Sequence, residues 1–265
     1  ITAFFREPVH FTFLAQMLLP AWQRQVGRSR APRLRLWSAG CSTGQEAYSL
    51  AAVLHSVLGE SSRVDAKILA TDVSSRALAI AKAARYSEPL SVIPTSWRGS
   101  FLSTRSGEQR YLTVTPAARA WVSFRLLNLL TERLPFHGRF DVIFCRNVLI
   151  YFDEPTQQAV IARLADQLTA GGCLFLSLSE GLTRIPPGLT ALGHSIYQNN
   201  RTPEQTRERP QPGTRVAHRG AQGGSQGQYP VTVVRRILEI KALMGQGYSI
   251  EDIRAGGLSF GREID

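Results

Sequence analysis

The sequence lacks any apolar run approaching the ~20 residues that a membrane-spanning helix requires, so insertion into a bilayer is not expected. Its three cysteines, Cys41, Cys145 and Cys173, lie far apart, with no Cys-x-x-Cys pair and no neighbouring histidine. That spacing excludes a zinc site and a disulfide framework, and no metal is expected; a reducing cytoplasm is the default compartment. The opening residues, Ile1-Thr2-Ala3-Phe4-Phe5-Arg6-Glu7, place no basic stretch before an apolar one and do not read as a signal peptide. There is no initiator methionine, so further sequence upstream is expected. His10, His55, His137, His194 and His218 are scattered and form no catalytic constellation.

What the sequence does have is enough apolar material for a globular core: 43% of its 265 residues, sufficient for one large α/β domain or two small ones. The formal charge is +11, which calls for an anionic partner: nucleic acid, an acidic protein or an anionic membrane surface. Residues 1–199 hold 21 Lys and Arg against 13 Asp and Glu, and the remainder 10 against 7. The excess is therefore spread along the chain and is not a basic tail. Composition changes near Asn199. Residues 200–229 are rich in Gln, Arg, Gly and Pro and cannot bury enough surface to offset ordering entropy, so they read as a flexible linker. Apolar periodicity returns over 230–265, which reads as a small helical module.

Residues 1–199 alternate strand and helix signals. Leu34–Ser38 reads as a strand. Gly44–Leu58 follows as a helix with Ala47, Leu50, Ala51, Leu54, Val57 and Leu58 on one face. Ala66–Thr71 is a second strand, and Ser74–Arg85 a helix with Ser74 as N-cap. Phe140–Cys145 is a near-continuous apolar run, as a central parallel strand should be. A helix over Pro155–Leu168 and a buried strand over Cys173–Leu178 complete the pattern. The expected fold is α/β, a doubly wound Rossmann-like sheet with helices on both faces. A small antiparallel β-insertion about Gly107, over residues 99–122, interrupts it.

Three positions at the carboxyl ends of these strands carry chemistry. Ala39-Gly40-Cys41-Ser42-Thr43-Gly44 links the first strand to its helix, where glycine lets the backbone approach a ligand, although an ordinary strand-to-helix turn would look the same. Asp72 ends the second strand, where it can accept hydrogen bonds from ribose hydroxyls or cap the next helix. The G-x-G-x-x-G spacing of a dinucleotide site is missing, so a mononucleoside cofactor fits better. After the central strand come Cys145-Arg146-Asn147-Val148-Leu149-Ile150-Tyr151-Phe152-Asp153. Arg146 there is either a fork for a carboxylate or a member of a structural ion pair. Tyr151 is either a hydroxyl at the cleft mouth or a half-buried core aromatic.

These blocks resemble the catalytic domain of the CheR chemotaxis receptor methyltransferases. They occur in the same order, together with Thr2–Glu7, Trp37–Ser49, Ala70–Asp72 and Phe124–Leu129, and cover most of residues 1–198. The resemblance implies transfer of a methyl group from S-adenosylmethionine to a glutamate carboxylate on an acidic helical receptor or signalling protein. The products are a glutamate methyl ester and S-adenosylhomocysteine. An ionised glutamate is already a nucleophile, so no general base is needed; the protein must align donor and acceptor and exclude water. Carried over by position, Thr2, Arg6, Gly40, Glu46, Asp72, Asn128, Leu129, Cys145 and Arg146 bind the cofactor. Of these, Arg6 lies near the methyl group, Asp72 at the ribose, and Asn128 and Leu129 at the adenine. Arg6, Arg146 and Tyr151 are the expected catalytic residues.

Departures from the family pattern have consequences. The insertion reads Ser103-Thr104-Arg105-Ser106-Gly107-Glu108-Gln109-Arg110-Tyr111, with one glycine where the family's G-x-G-x-x-R turn has two, which argues against tethering by a receptor pentapeptide. Ser177-Leu178-Ser179-Glu180 stands where Gly-His-Ser-Glu is usual. The family's basic N-terminal helical domain does not appear in the chain. Arg235–Arg254 is similar to part of a MerR-type helix-turn-helix without its recognition helix, so DNA binding by the module is possible but a helical docking hairpin is favoured. The alternative to catalysis is a cofactor-binding sensor that acts through this module.

Overall fold

In the computed structural model, residues 2–26, 32–59 and 64–208 are described. The rest of the expected linker and the whole of the expected helical module, with its helix-turn-helix resemblance, lie outside the described residues.

The N-terminal segment leads into α1 (Pro8–Phe13), a π turn over Leu14–Leu18 and α2 (Leu19–Val26). Then follow β1 (Arg33–Ala39), α3 (Gln45–Leu58), β2 (Asp65–Asp72) and α4 (Ser75–Ala83). A small three-stranded sheet is built from β3 (Arg85–Tyr86), β4 (Phe101–Ser106) and β5 (Gln109–Val114), in the order β3-β5-β4. The chain re-enters the main sheet through α5 (Pro116–Arg119), β6 (Val122–Leu126), β7 (Phe140–Cys145), α6 (Glu154–Asp166) and β8 (Leu168–Leu176). It finishes with β9 (Leu189–Gly193), β10 (Ile196–Asn199) and α7 (Pro203–Glu208).

The main sheet has seven strands in the order β6-β2-β1-β7-β8-β10-β9. The first five run parallel, and β10 is antiparallel to both its neighbours. From β1 the chain moves outward through β2 to β6, then returns to the other side of β1 as β7. The carboxyl ends of β1 and β7 therefore flank the switch point where open α/β sheets bind ligands. Right-handed crossovers in opposite directions from this point put α3 and α6 on opposite faces. The doubly wound fold and the antiparallel insertion are as the sequence indicates.

Several boundaries differ for identifiable reasons. The helix expected to Leu168 ends at Asp166, and β8 begins at Leu168, running through Gly171-Gly172. Those glycines do not end an element. A Cβ on Gly172 would meet the Asp141 carbonyl at 3.0 Å, so only glycine lets β8 pass beside β7. The strand stops at Leu176, short of Leu178, because Ser177 and Glu180 close a capping box around a 3-10 turn. Val122 belongs to β6 of the main sheet and not to the insertion. The edge strand β9 and its neighbour β10 are short, and β9 is mostly exposed, so they lack the apolar run that marks a central strand. Residues 203–208, assigned by composition to the linker, form α7. Arg139 donates to the Asp166 and Thr206 carbonyls, and Arg201 pairs with Asp166 at 2.9 Å, which fastens this segment to the domain.

Aromatic burial fixes the N-terminal segment over the sheet. Phe4 meets Tyr86 and Phe101 edge-on, and Phe5 stacks on Trp97 with centroids 4.6 Å apart. Beneath α1, Phe144 and Phe175 stack at 4.3 Å. No helix among the described residues is long and apolar enough to cross a membrane. Cys41, Cys145 and Cys173 are buried.

Gly40 ends β1 at φ +83°, and a Cβ there would lie 2.4 Å from Val148 Cγ2. Gly40→Ala adds a left-handed strain and an overlap with a neighbour held by the core. A loss of about 2–4 kcal/mol is expected in urea unfolding. Val148→Ala in the same chain should recover the steric part and leave the conformational part.

Candidate active site

The ends of five parallel strands converge on one rim. On β1, the carbonyl of Thr71 from the adjacent β2 accepts from the amides of Gly40 and Cys41, both at 2.8 Å. This hooks the glycine loop back over the sheet. Asp72 follows at the end of β2 and is buried. Its Oδ2 accepts from the Ser42 amide at 2.8 Å and its Oδ1 from the Ser74 amide at 2.9 Å. Ser74 is itself the N-cap of α4, accepting from Ala77. The Asp72 carboxylate thus joins the loop to the helix start and is not the cap. The Asp72 carbonyl accepts from Leu127, which carries the chain on to half-buried Asn128 and buried Leu129. The Asn128 side chain accepts from the Leu130 amide at 2.9 Å, and the Leu129 carbonyl from Arg163.

Arg146, directly after β7, occupies the centre. Its side chain is only 2% exposed. The guanidinium lies 3.0 Å from Glu7 Oε2 and 3.3 Å from Glu46 Oε2, and donates to the Arg6 carbonyl. Phe11 and Phe144 lie beneath it at 5.6 and 5.8 Å. Two protein carboxylates and a carbonyl meet that fork. The ion-pair alternative describes Arg146.

Its two partners titrate in opposite senses. Glu46, in the first turn of α3, also accepts from the Ser38 hydroxyl at 2.7 Å. Burial raises its carboxyl, against Arg146 and Ser38, and the charges of Glu7 and Glu180 push the same way as burial. Glu7 is also raised by burial. The Ser177 hydroxyl at 2.6 Å, the Arg146 charge and the Leu178 amide outweigh that, and its carboxyl lies below the ordinary 4.5. Behind them, Glu180 accepts from the amides of Asn147, Ile150 and Ser177. Asn147 is left-handed, with φ 56°, and donates to Ser177 Oγ at 2.9 Å. Buried His10 places Nε2 2.7 Å from the His194 carbonyl, which only a protonated nitrogen satisfies.

Arg6, Glu46 and Arg146 are thus drawn together, and Asp72 is tied to the Gly40 loop. Tyr151 is half-buried in the 3-10 turn over Leu149–Tyr151. Burial raises its phenol first, with the charges of Glu180 and Asp72 adding to this and Arg6 opposing it. Thr2 is half-buried in the N-terminal segment. The Cys145 thiol is wholly buried and raised well above its ordinary value by that burial. Glu7, Ser38, Ser177, Glu180 and Asn147 escaped sequence reasoning. Their signal was faint: Glu7 and the Ser177–Glu180 corner lay inside noted stretches, without the spacing that would pair them.

Comparison with known proteins decides the family. Residues 1–196 match the CheR methyltransferase, SAM binding domain. The chain belongs to the CheR methyltransferase family. Similar proteins include a "Probable chemotaxis protein methyltransferase" of Rhizobium etli, 41% identical over 182 residues (68% of this chain and 66% of that one). The "Chemotaxis protein methyltransferase" of Klebsiella aerogenes is 36% identical, covering 74% of this chain and 65% of that one. Its Escherichia coli namesake is 34% identical, covering 74% and 66%. The matched region thus spans about two-thirds of the length of these relatives. S-adenosylmethionine is the cofactor of the CheR domain, and the residues present fit it. The loop at Gly40 is bare backbone where a Cβ would collide with Val148, and a buried carboxylate stands one strand away at Asp72.

The raised carboxyl of Glu46 has a consequence for stability. A carboxyl raised in the folded state binds its proton more tightly there than in the unfolded chain. Its contribution is complete below 4.5 and is lost as pH rises through the folded value. In Glu46→Gln that decline should vanish from a urea-unfolding series between pH 4 and pH 8. An unchanged pH slope would show that Glu46 is not the source.

Proposed function

We propose that this chain transfers the methyl group of S-adenosylmethionine to a glutamate carboxylate on an acidic helical segment of a chemotaxis-type receptor or related signalling protein. The observation that carries the reading is Asp72 and the Gly40 loop at the ends of β2 and β1, across the sheet's switch point from the end of β7, where Arg146 holds the Arg6 carbonyl and the turn bearing Tyr151 follows, within one CheR domain. Bound S-adenosylmethionine supplies a methyl group already activated by its sulfonium and leaves as S-adenosylhomocysteine. Asp72 holds the ribose, a carboxylate oxygen being able to accept more than one hydrogen bond. The Gly40 loop lets the backbone come close, and Asn128 and Leu129 flank the adenine. Thr2 and Glu46 line the methionine end, with Glu46 kept in place by Ser38 and Arg146.

Arg6 is exposed and offers a cation to the acceptor carboxylate, drawing it in as the anion that reacts. Tyr151 keeps its proton at neutral pH, because burial raises it, and so donates a hydrogen bond at the same mouth. The acceptor is ionised at neutral pH, so alignment and exclusion of water suffice. The net charge of +11 suits an acidic partner. No pentapeptide tether is proposed, since the β4–β5 turn carries one glycine and sets Arg105 directly opposite Arg110.

The test is incubation with methyl-tritiated donor and candidate receptor cytoplasmic fragments. Label released as methanol under mild alkali identifies an ester; label that stays bound under alkali rules the ester out. Asp72→Ala should weaken cofactor binding by about tenfold to a hundredfold in calorimetry, through loss of a charge-assisted hydrogen bond. Arg6→Ala should lower turnover far more than cofactor affinity, and a defect in affinity alone would remove Arg6 from its role.

A further inference from the structure

Arg6 stands between two non-glycine residues in the left-handed region, Phe5 at φ 51° and Glu7 at φ 55°. L side chains avoid that region, and residues persist there only where their surroundings dictate it. Both neighbours are tightly held. The Phe5 amide donates to Ser49 Oγ at 3.0 Å, and its ring stacks on Trp97. Glu7 is held by three groups from two strands. Its Oε1 accepts from Ser177 Oγ at 2.6 Å, and its Oε2 accepts from the Leu178 amide at 3.3 Å and lies 3.0 Å from the Arg146 guanidinium. Arg146 also donates to the carbonyl of Arg6 itself. Phe4 and Phe5 are buried and the Glu7 side chain is 15% exposed, so of the residues in this turn Arg6 is the one held out from it.

A buried carboxylate one residue from an exposed cation, with partners at the ends of β7 and β8, does more than neutralise Arg146. Glu46 already supplies a counter-charge to that guanidinium. Glu7 adds a side-chain link between the N-terminal turn and the ends of both strands, beside the bond from Arg146 to the Arg6 carbonyl. Resting on the reading of Arg6 given above, we propose that Glu7 is a positioning residue: its carboxylate locks the Arg6 turn onto the ends of β7 and β8 and so fixes where the Arg6 guanidinium meets the acceptor. Misplacement by about 1 Å is enough to lower turnover a hundredfold, so the lock belongs to the chemistry even though Glu7 itself touches neither reactant.

The full chain is assayed with methyl-tritiated donor and a receptor fragment, as wild type, Glu7→Gln, Ser177→Ala, Arg6→Ala and the Glu7→Gln, Arg6→Ala double variant. Glutamine keeps the shape but removes the charge, and leaves one carbonyl oxygen where Ser177 and the Leu178 amide meet two different carboxylate oxygens. Serine-to-alanine leaves the ion pair and removes the hydrogen bond to Glu7, together with those that Ser177 Oγ makes with Asn147 and Ser179. Turnover of Glu7→Gln is expected to fall by about 10- to 100-fold, with cofactor affinity changed by less than about threefold. In the Arg6→Ala background the same substitution should cause no further loss, because Glu7 acts through Arg6. An equal loss in both backgrounds, or full turnover in Glu7→Gln, overturns the proposal.

Hydrogen exchange supplies a readout that needs neither donor nor acceptor, and Ser177→Ala serves it even where Glu7→Gln folds poorly. Amides of residues 4–7 should exchange faster while those of β7 and β8 keep their protection; unchanged exchange at 4–7 overturns the lock. A wild-type chain that methylates nothing, with Ser177→Ala still showing this selective loosening, would sink the methyl-transfer reading and leave the lock standing.

Discussion

The structure turns on one buried guanidinium. Arg146 emerges from the end of β7 into a space closed by Phe11 and Phe144, where a lone cation would be strongly disfavoured. It is tolerated because carboxylates arrive from two distant parts of the chain, Glu7 from the N-terminal segment and Glu46 from α3. Removing one partner from such a buried pair typically costs about 3–5 kcal/mol, whereas the intact pair contributes little net stability. The arrangement therefore acts less as a source of stability than as a constraint on geometry. With Arg146 in place, the N-terminal turn, the start of α3 and the ends of β7 and β8 can take one relative arrangement.

That constraint explains the unusual backbone around the rim. Left-handed Phe5, Glu7, Ser42 and Asn147 all lie there, and none is glycine. Each is overruled locally by a partner: Ser49 for Phe5, Ser177 and Arg146 for Glu7, the Asp72 carboxylate for Ser42, and Glu180 for Asn147. The strain is concentrated where loops must turn sharply over strand ends, as ligand-binding rims commonly require. The pattern also suits chemistry that asks little of acid–base groups. Where donor and acceptor are already reactive, placement is the protein's main contribution, and a rim of pinned turns provides it.

Much of the domain can be read from residue order alone, because local periodicity and tertiary burial agree there. Phe140–Cys145 is apolar but for Asp141 since it lies at the centre of the sheet, and α3 shows its buried stripe because the sheet covers it. Ser74 caps α4 as its type and position foretell. The edge strand β9 and its neighbour β10 resist such reading because β9 is mostly exposed and β10 is only four residues long, so neither carries a continuous apolar run. Gly171-Gly172 mislead for a different reason: they resemble a breaker, but their function is close passage beside the Asp141 carbonyl. At the site, Asp72 and Gly40 are legible as strand-end residues. Arg146 is legible as important but not in its role, since whether an arginine is open or already paired depends on residues more than a hundred positions away.

The sequence by itself determined the order of strands and helices, the glycine turn, the acidic residue one strand on, and the family. These are properties of nearest neighbours and short spacings, which survive without coordinates. Only the tertiary structure decided that Glu7, Glu46, Ser177 and Glu180 share one polar knot with Arg146, and that the knot fixes the turn bearing Arg6. Long-range pairing of single charged side chains leaves no period in a sequence; it arises only when folding buries them together and the low-dielectric interior requires each charge to find its partner.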